Sequence, residues 1–111
     1  MRKKYTYYIY ILTNQFNTVF YVGVTDNIIK RSFEHRVGLL EGFTKKYRVK
    51  KLVYLEEYND INEAIAREKQ LKNWHRDWKI SLIKKVNPNF IDLSIILDSL
   101  PYFYSFTSIC Y

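Results

Sequence analysis

The sequence predicts an α/β domain over residues 1–93 with an apolar tail over 94–111, and three observations carry that prediction. Strand-like runs at 5–12, 19–24 and 51–58 are interleaved with segments whose apolar residues recur at helical spacings of three and four. The 111 residues are 48% hydrophobic and 26% charged with 3 Gly and 2 Pro, a globular composition that excludes disordered and collagen-like chains. No repeat or linker divides the chain, and its length suits one core.

The first run follows Met1-Arg2-Lys3-Lys4, which imitates the start of a secretory signal. It contains Tyr5, Tyr7, Tyr8 and Tyr10, lacks a small-x-small cleavage site and leads straight into polar Thr13-Asn14-Gln15, so a strand is expected and not a leader. The turn-rich link over 13–18 is of hairpin length and joins it to the second strand. Thr25-Asp26-Asn27 supplies helix-capping side chains, and Ile29, Phe33, Val37 and Leu40 then predict a helix over 27–39, fraying at Gly38 and Gly42. After the third strand, Asp60 and Glu63 have capping-box spacing and open a helix over 61–75. A last helix over 77–86 stops before Asn87-Pro88. Residues 93–111 are too apolar to stay solvated and are expected to pack on the domain or to mediate self-association. Asp98 and Pro101 interrupt them, so no membrane span is expected.

Charge narrows the function. Lys+Arg exceed Asp+Glu by 18 to 11, a formal +7, and the excess is concentrated in two blocks. Residues 30–51 carry +6 and residues 66–85 carry +5, while 52–65 hold four acids and no base. Such blocks suit a polyanion, or are simply solvated helix faces. A single cysteine, Cys110, forms no internal disulfide, and with two histidines leaves too few soft ligands for a zinc centre. A reducing, cytoplasmic setting is the expectation.

Arg31 and His35 stand four apart on one helix face. Glu68 interrupts the apolar stripe Ile61, Ala64/Ile65, Leu71 and Trp74/Trp78, so its carboxylate must be paired, for instance with Lys72, or protonated, or bound to a cation. Tyr10 and Tyr21 lie on the paired strands; a phenol with a pKa of roughly 10 needs a nearby cation to act as a base at neutral pH.

Tyr8-Ile9-Tyr10, Tyr21-Val22-Gly23 eleven residues on, then Arg31, His35 and Glu68 together resemble the GIY-YIG nuclease family, in its small stand-alone bacterial form. The likeness covers about residues 5–93 and extends to the N-terminal nuclease domain of excinuclease ABC. Tyr8 replaces the first glycine of the name, and Val24 stands where excinuclease relatives carry a lysine. The resemblance implies a small, mostly antiparallel three-stranded sheet flanked by helices, and a DNA endonuclease using Mg²⁺ or Mn²⁺, with a role in DNA repair or processing. It implies that Glu68 holds the metal, that Arg31 stabilises the scissile phosphate, that Tyr10 or Tyr21 acts on the attacking water, and that His35 orients a tyrosine or the phosphate. Lys30, Arg36, Lys45, Lys46, Arg48, Lys72 and Asn87 are then expected along the DNA, Asn87 standing for the family's late asparagine. The alternative is a nucleic-acid binding module on the same scaffold without cleavage.

Overall fold

A computed structural model describes residues 5–38, 42 and 46–95. Three antiparallel strands, β1 (Tyr7–Thr13), β2 (Phe20–Thr25) and β3 (Lys51–Tyr58), form one sheet in the order β2-β1-β3. β1 is therefore paired on both edges, which is why Ile9, Ile11, Leu12 and Thr13 are almost completely buried. Each of the three aliphatic side chains contributes about 1.5–3 kcal/mol by leaving water. The β1–β2 turn is closed by Asn14, whose Oδ1 accepts from the backbone N–H groups of Thr18 (2.8 Å) and Val19 (3.2 Å).

Side-chain alternation gives the sheet two different faces. Ile9 and Ile11 join Val22 and Tyr54 against Ala64 and Leu71 of α2 (Ile61–Asn73) and Ile83 of α3 (Arg76–Val86). Tyr10 and Leu12 point the other way, into a second cluster with Ile28 of α1 (Ile28–Arg36), Val49 and Leu52. Helices thus flank both faces, and the chemically interesting tyrosines share a face with α1.

The helix ends follow from local chemistry. Asn27 caps α1 by accepting from the Lys30 N–H at 3.1 Å. That helix stops at Arg36, short of the expected 39, because Gly38 adopts φ +74 and donates back to the His35 carbonyl. Asp60 caps α2 through the Asn62 N–H at 2.8 Å. Extended backbone at Trp74 and His75 ends α2 at Asn73 and lets α3 begin at Arg76, shifting both predicted boundaries by one or two residues. The apolar stripe expected on α2 is narrower than predicted: Ala64 and Leu71 are buried, whereas Ile61, Ile65 and Trp78 are exposed.

Asn87 is not on the surface, a correction to its expected place along DNA. Its amide nitrogen donates to the carbonyls of Val53 (3.1 Å) and Ile91 (2.9 Å), and its oxygen accepts from the Ile91 N–H (3.0 Å). Buried and committed to three backbone groups, it ties the turn after α3 to β3. The expected domain limit at 93 falls at the edge of the described chain, and residues 96–111 of the apolar tail lie outside it. Among the described residues no helix is long and apolar enough to cross a membrane.

Candidate active site

The site is built on the β1–β2 pair. Tyr10 is 2% exposed and lies opposite Gly23 in the strand register. Its phenol leans across that glycine: a Cβ at position 23 would fall inside Tyr10 Cζ and Oη and only 2.8 Å from Cε1. The glycine of the Tyr21-Val22-Gly23 motif is required here by close approach rather than by backbone conformation. Spacing alone showed the motif, but this reason for it becomes visible only with the cross-strand register.

His35 reaches the same place from α1. Its Nε2 is 3.2 Å from Tyr10 Oη, and the rings of Tyr10, Tyr21 and His35 form a triangle with centroids 6.3, 5.7 and 5.8 Å apart. Burial first, then the neighbouring Tyr21 and Glu68, push the Tyr10 phenol well above its ordinary range, against the pull of Arg31. Burial and the Arg31 guanidinium lower His35 to about 4, with Glu34 opposing. The Tyr10–His35 bond therefore joins two uncharged groups at neutral pH. His35 Nδ1 is also buried and has no hydrogen-bond partner.

A stability prediction follows from the imidazole. With a folded pKa of about 4 against an ordinary 6.5, His35 binds fewer protons folded than unfolded between those values. Its contribution is complete above about pH 6.5 and falls, by on the order of 3 kcal/mol, as the pH drops to about 4. Urea unfolding at pH 7.5 and 4.5 is expected to show this loss, and His35→Gln to remove most of the difference. An equal pH dependence in the two proteins would refute the assignment.

The charged members of the expected set flank the triangle. Arg31, whose side chain is 40% exposed, approaches Glu34 at 3.7 Å and acts electrostatically on both Tyr10 and His35. Glu68 lies on the inner side of α2 between fully buried Ala64 and Leu71, with its side chain 17% exposed. Its Oε1 is 2.9 Å from Lys72 Nζ, so Lys72, expected on DNA, is paired with the carboxylate. Lys30, Lys46 and Arg48 are exposed, Arg36 is half-buried with its guanidinium over the Phe33 ring, and Lys45 lies outside the described residues.

Sequence reasoning missed a second carboxylate. Glu56 on β3 accepts from both Nε and a terminal nitrogen of Arg67 at 2.9 Å, from Tyr58 Oη at 2.8 Å, and from Tyr54 Oη. Burial works against its charge, but these bonds hold its carboxyl below the usual range. Glu56 is saturated and fastens α2 to β3 through Arg67, the neighbour of Glu68. The alternation Tyr54, Glu56, Tyr58 on one strand face was the available signal.

This combination of fold and residues has counterparts. A sequence profile described as the GIY-YIG catalytic domain matches residues 6–81. The chain belongs to the GIY-YIG family. Within it, the chain is 42% identical over 82 residues to a UPF0213 protein of Syntrophus aciditrophicus, covering 73% of this chain and 92% of that one. A UPF0213 protein of Pediococcus pentosaceus is 35% identical over 79 residues, covering 71% and 82%. The solution structure of a UPF0213 protein from Bacillus halodurans aligns with a TM-score of 0.51 at 23% identity, covering 78% and 92%, and shares the fold. In GIY-YIG terms the first motif reads Tyr8-Ile9-Tyr10 and the second Tyr21-Val22-Gly23, and the two face each other across one antiparallel pair.

Proposed function

We propose that this GIY-YIG protein is a divalent-metal-dependent endonuclease that hydrolyses phosphodiester bonds in DNA. The observation that carries the reading is the convergence of Tyr10, Tyr21 and His35 in one ring cluster, with the charges of Arg31 and Glu68 both acting at the Tyr10 phenol. The buried, unpartnered His35 Nδ1 supports it, since such atoms concentrate where a substrate or water is to be received.

The donor chemistry fits a hard cation. Among the described residues no three His, Cys, Asp or Glu side chains gather, so the available protein ligand is Glu68, whose carboxylate is held by one exposed lysine, in contrast to saturated Glu56. One carboxylate completed by water and phosphate oxygens suits Mg²⁺ or Mn²⁺. When bound, such an ion offsets charge on the phosphoryl and leaving oxygens.

The chain's own groups divide the remaining work. Hydrolysis forms a bond from water oxygen to phosphorus, breaks the bond to the leaving sugar oxygen, and returns a proton to that oxygen. The Arg31 guanidinium, exposed enough to meet a backbone phosphate, presents two donors to the charge developing on its oxygens. Tyr10, buried and protonated, is a brace: its hydroxyl and His35 fix each other. Tyr21, half-buried beside them, is the phenol placed to orient the attacking water. The two basic blocks lie along the DNA backbone and make binding salt-dependent.

The test incubates linear, forked and single-stranded DNA with the protein in Mg²⁺, Mn²⁺ or EDTA. Metal-dependent cleavage is expected. Cleavage that continues in EDTA would sink the metal assignment, and salt-sensitive binding without cleavage in any metal would establish the binding-module alternative.

A further inference from the structure

A cleft of about 500 Å³ opens where β1 ends, β3 begins and α1 terminates, and the catalytic groups do not use it. Arg36, Arg48, Lys50 and Lys51 line it together with the rings of Phe16 and Tyr47. Asp92 is the acid on its wall, and Asp92 Oδ1 already accepts from the N–H groups of Leu52 and Ser94 and from the Ser94 hydroxyl. The walls thus combine excess positive charge with flat aromatic surface, the chemistry of an anion that carries a planar ring.

Phe16 makes the cleft unusual. It sits at the tip of the β1–β2 turn with 75% of its surface exposed, so its ring adds little to the core. Arg48 adopts φ +55, a left-handed conformation that costs a non-glycine residue energy and here helps shape the cationic wall. The cleft is also adjacent to the catalytic groups in chain terms. Arg36 directly follows His35, and Asn14 at the cleft lies four residues beyond Tyr10, about 13 Å along β1.

We infer that the cleft receives an unpaired nucleotide of the substrate strand, its base against Phe16 and Tyr47 and its flanking phosphates on Arg36, Arg48, Lys50 and Lys51. A duplex keeps its bases stacked inside and would leave the aromatic wall idle, whereas an unpaired base offers a face to stack. The preferred substrate is then DNA with a single-stranded segment beside the cleaved bond. That last step rests on the nuclease reading; the binding preference does not.

The experiment measures fluorescence anisotropy of an octathymidylate and of an eight-base-pair duplex with the full chain in EDTA, so that binding is read apart from cleavage. The single strand is expected to bind more tightly. Phe16→Ala should weaken its binding about ten-fold and leave the duplex nearly unchanged, while Phe16→Trp retains the preference. Arg48→Ala should weaken both ligands and reduce the salt dependence by about one phosphate contact. Equal effects of Phe16→Ala on both ligands, or none on either, would overturn the inference even if the protein cleaves DNA. A Phe16-dependent preference without cleavage in Mg²⁺ or Mn²⁺ would uphold the cleft and remove the nuclease reading.

Discussion

Replacing Arg31 with alanine is expected to slow DNA cleavage by roughly 100- to 1,000-fold, the range for removing one preorganised donor from a developing oxyanion. Folding should change little, because the Arg31–Glu34 approach is long at 3.7 Å and open to solvent, and such pairs contribute about 0–1 kcal/mol. Arg31→Lys is not expected to restore the rate, since an ammonium lacks the planar pair of donors. Glu68→Gln should give a comparable loss, with a protein that still unfolds cooperatively. Single-turnover rates at saturating DNA, alongside urea unfolding, separate the two effects. If both variants cut DNA at the wild-type rate, the active site lies elsewhere.

Gly23→Ala is expected to disturb folding and chemistry together. The added methyl would overlap the Tyr10 phenol, and neither the strand backbone nor a ring that is 2% exposed has room to move. Overpacking of this kind costs about 1–3 kcal/mol, and any relief by rotation of Tyr10 breaks its bond to His35. The loss in unfolding free energy should shrink when Tyr10→Leu is present, a coupling readable from a double-mutant cycle. Additive losses would show that the two residues do not meet. Cleavage by Gly23→Ala should fall with the misplaced phenol even at temperatures where the variant is folded.

The strands and helices could be read from the sequence because each announces itself locally. Tyrosines and β-branched residues mark the hairpin, and Asn27 and Asp60 cap the helices they precede. What depended on partners distant in the chain could not be read this way. Asn87 looked like a surface asparagine beside a proline, and only the carbonyl of Val53, 34 residues earlier, makes it a buried tie. Glu56 seemed one acid of an acidic interval until Arg67 and two phenols closed around it. The catalytic candidates were legible as an ordered set, but the division between braced Tyr10 and more open Tyr21 required the His35 contact and the burial of one ring.

The two ion pairs beside the ring cluster bear on how the centre meets its substrate. At rest Arg31 leans on Glu34 and Lys72 on Glu68, around a phenol and an imidazole that carry no charge, so the centre is close to electrically silent. Each pair is open to water on its basic side and cheap to part, which lets an arriving phosphate exchange one partner for another instead of confronting a buried bare charge. Long-range attraction is then left to the basic blocks, and selectivity at the centre to whichever strand can open both pairs at once.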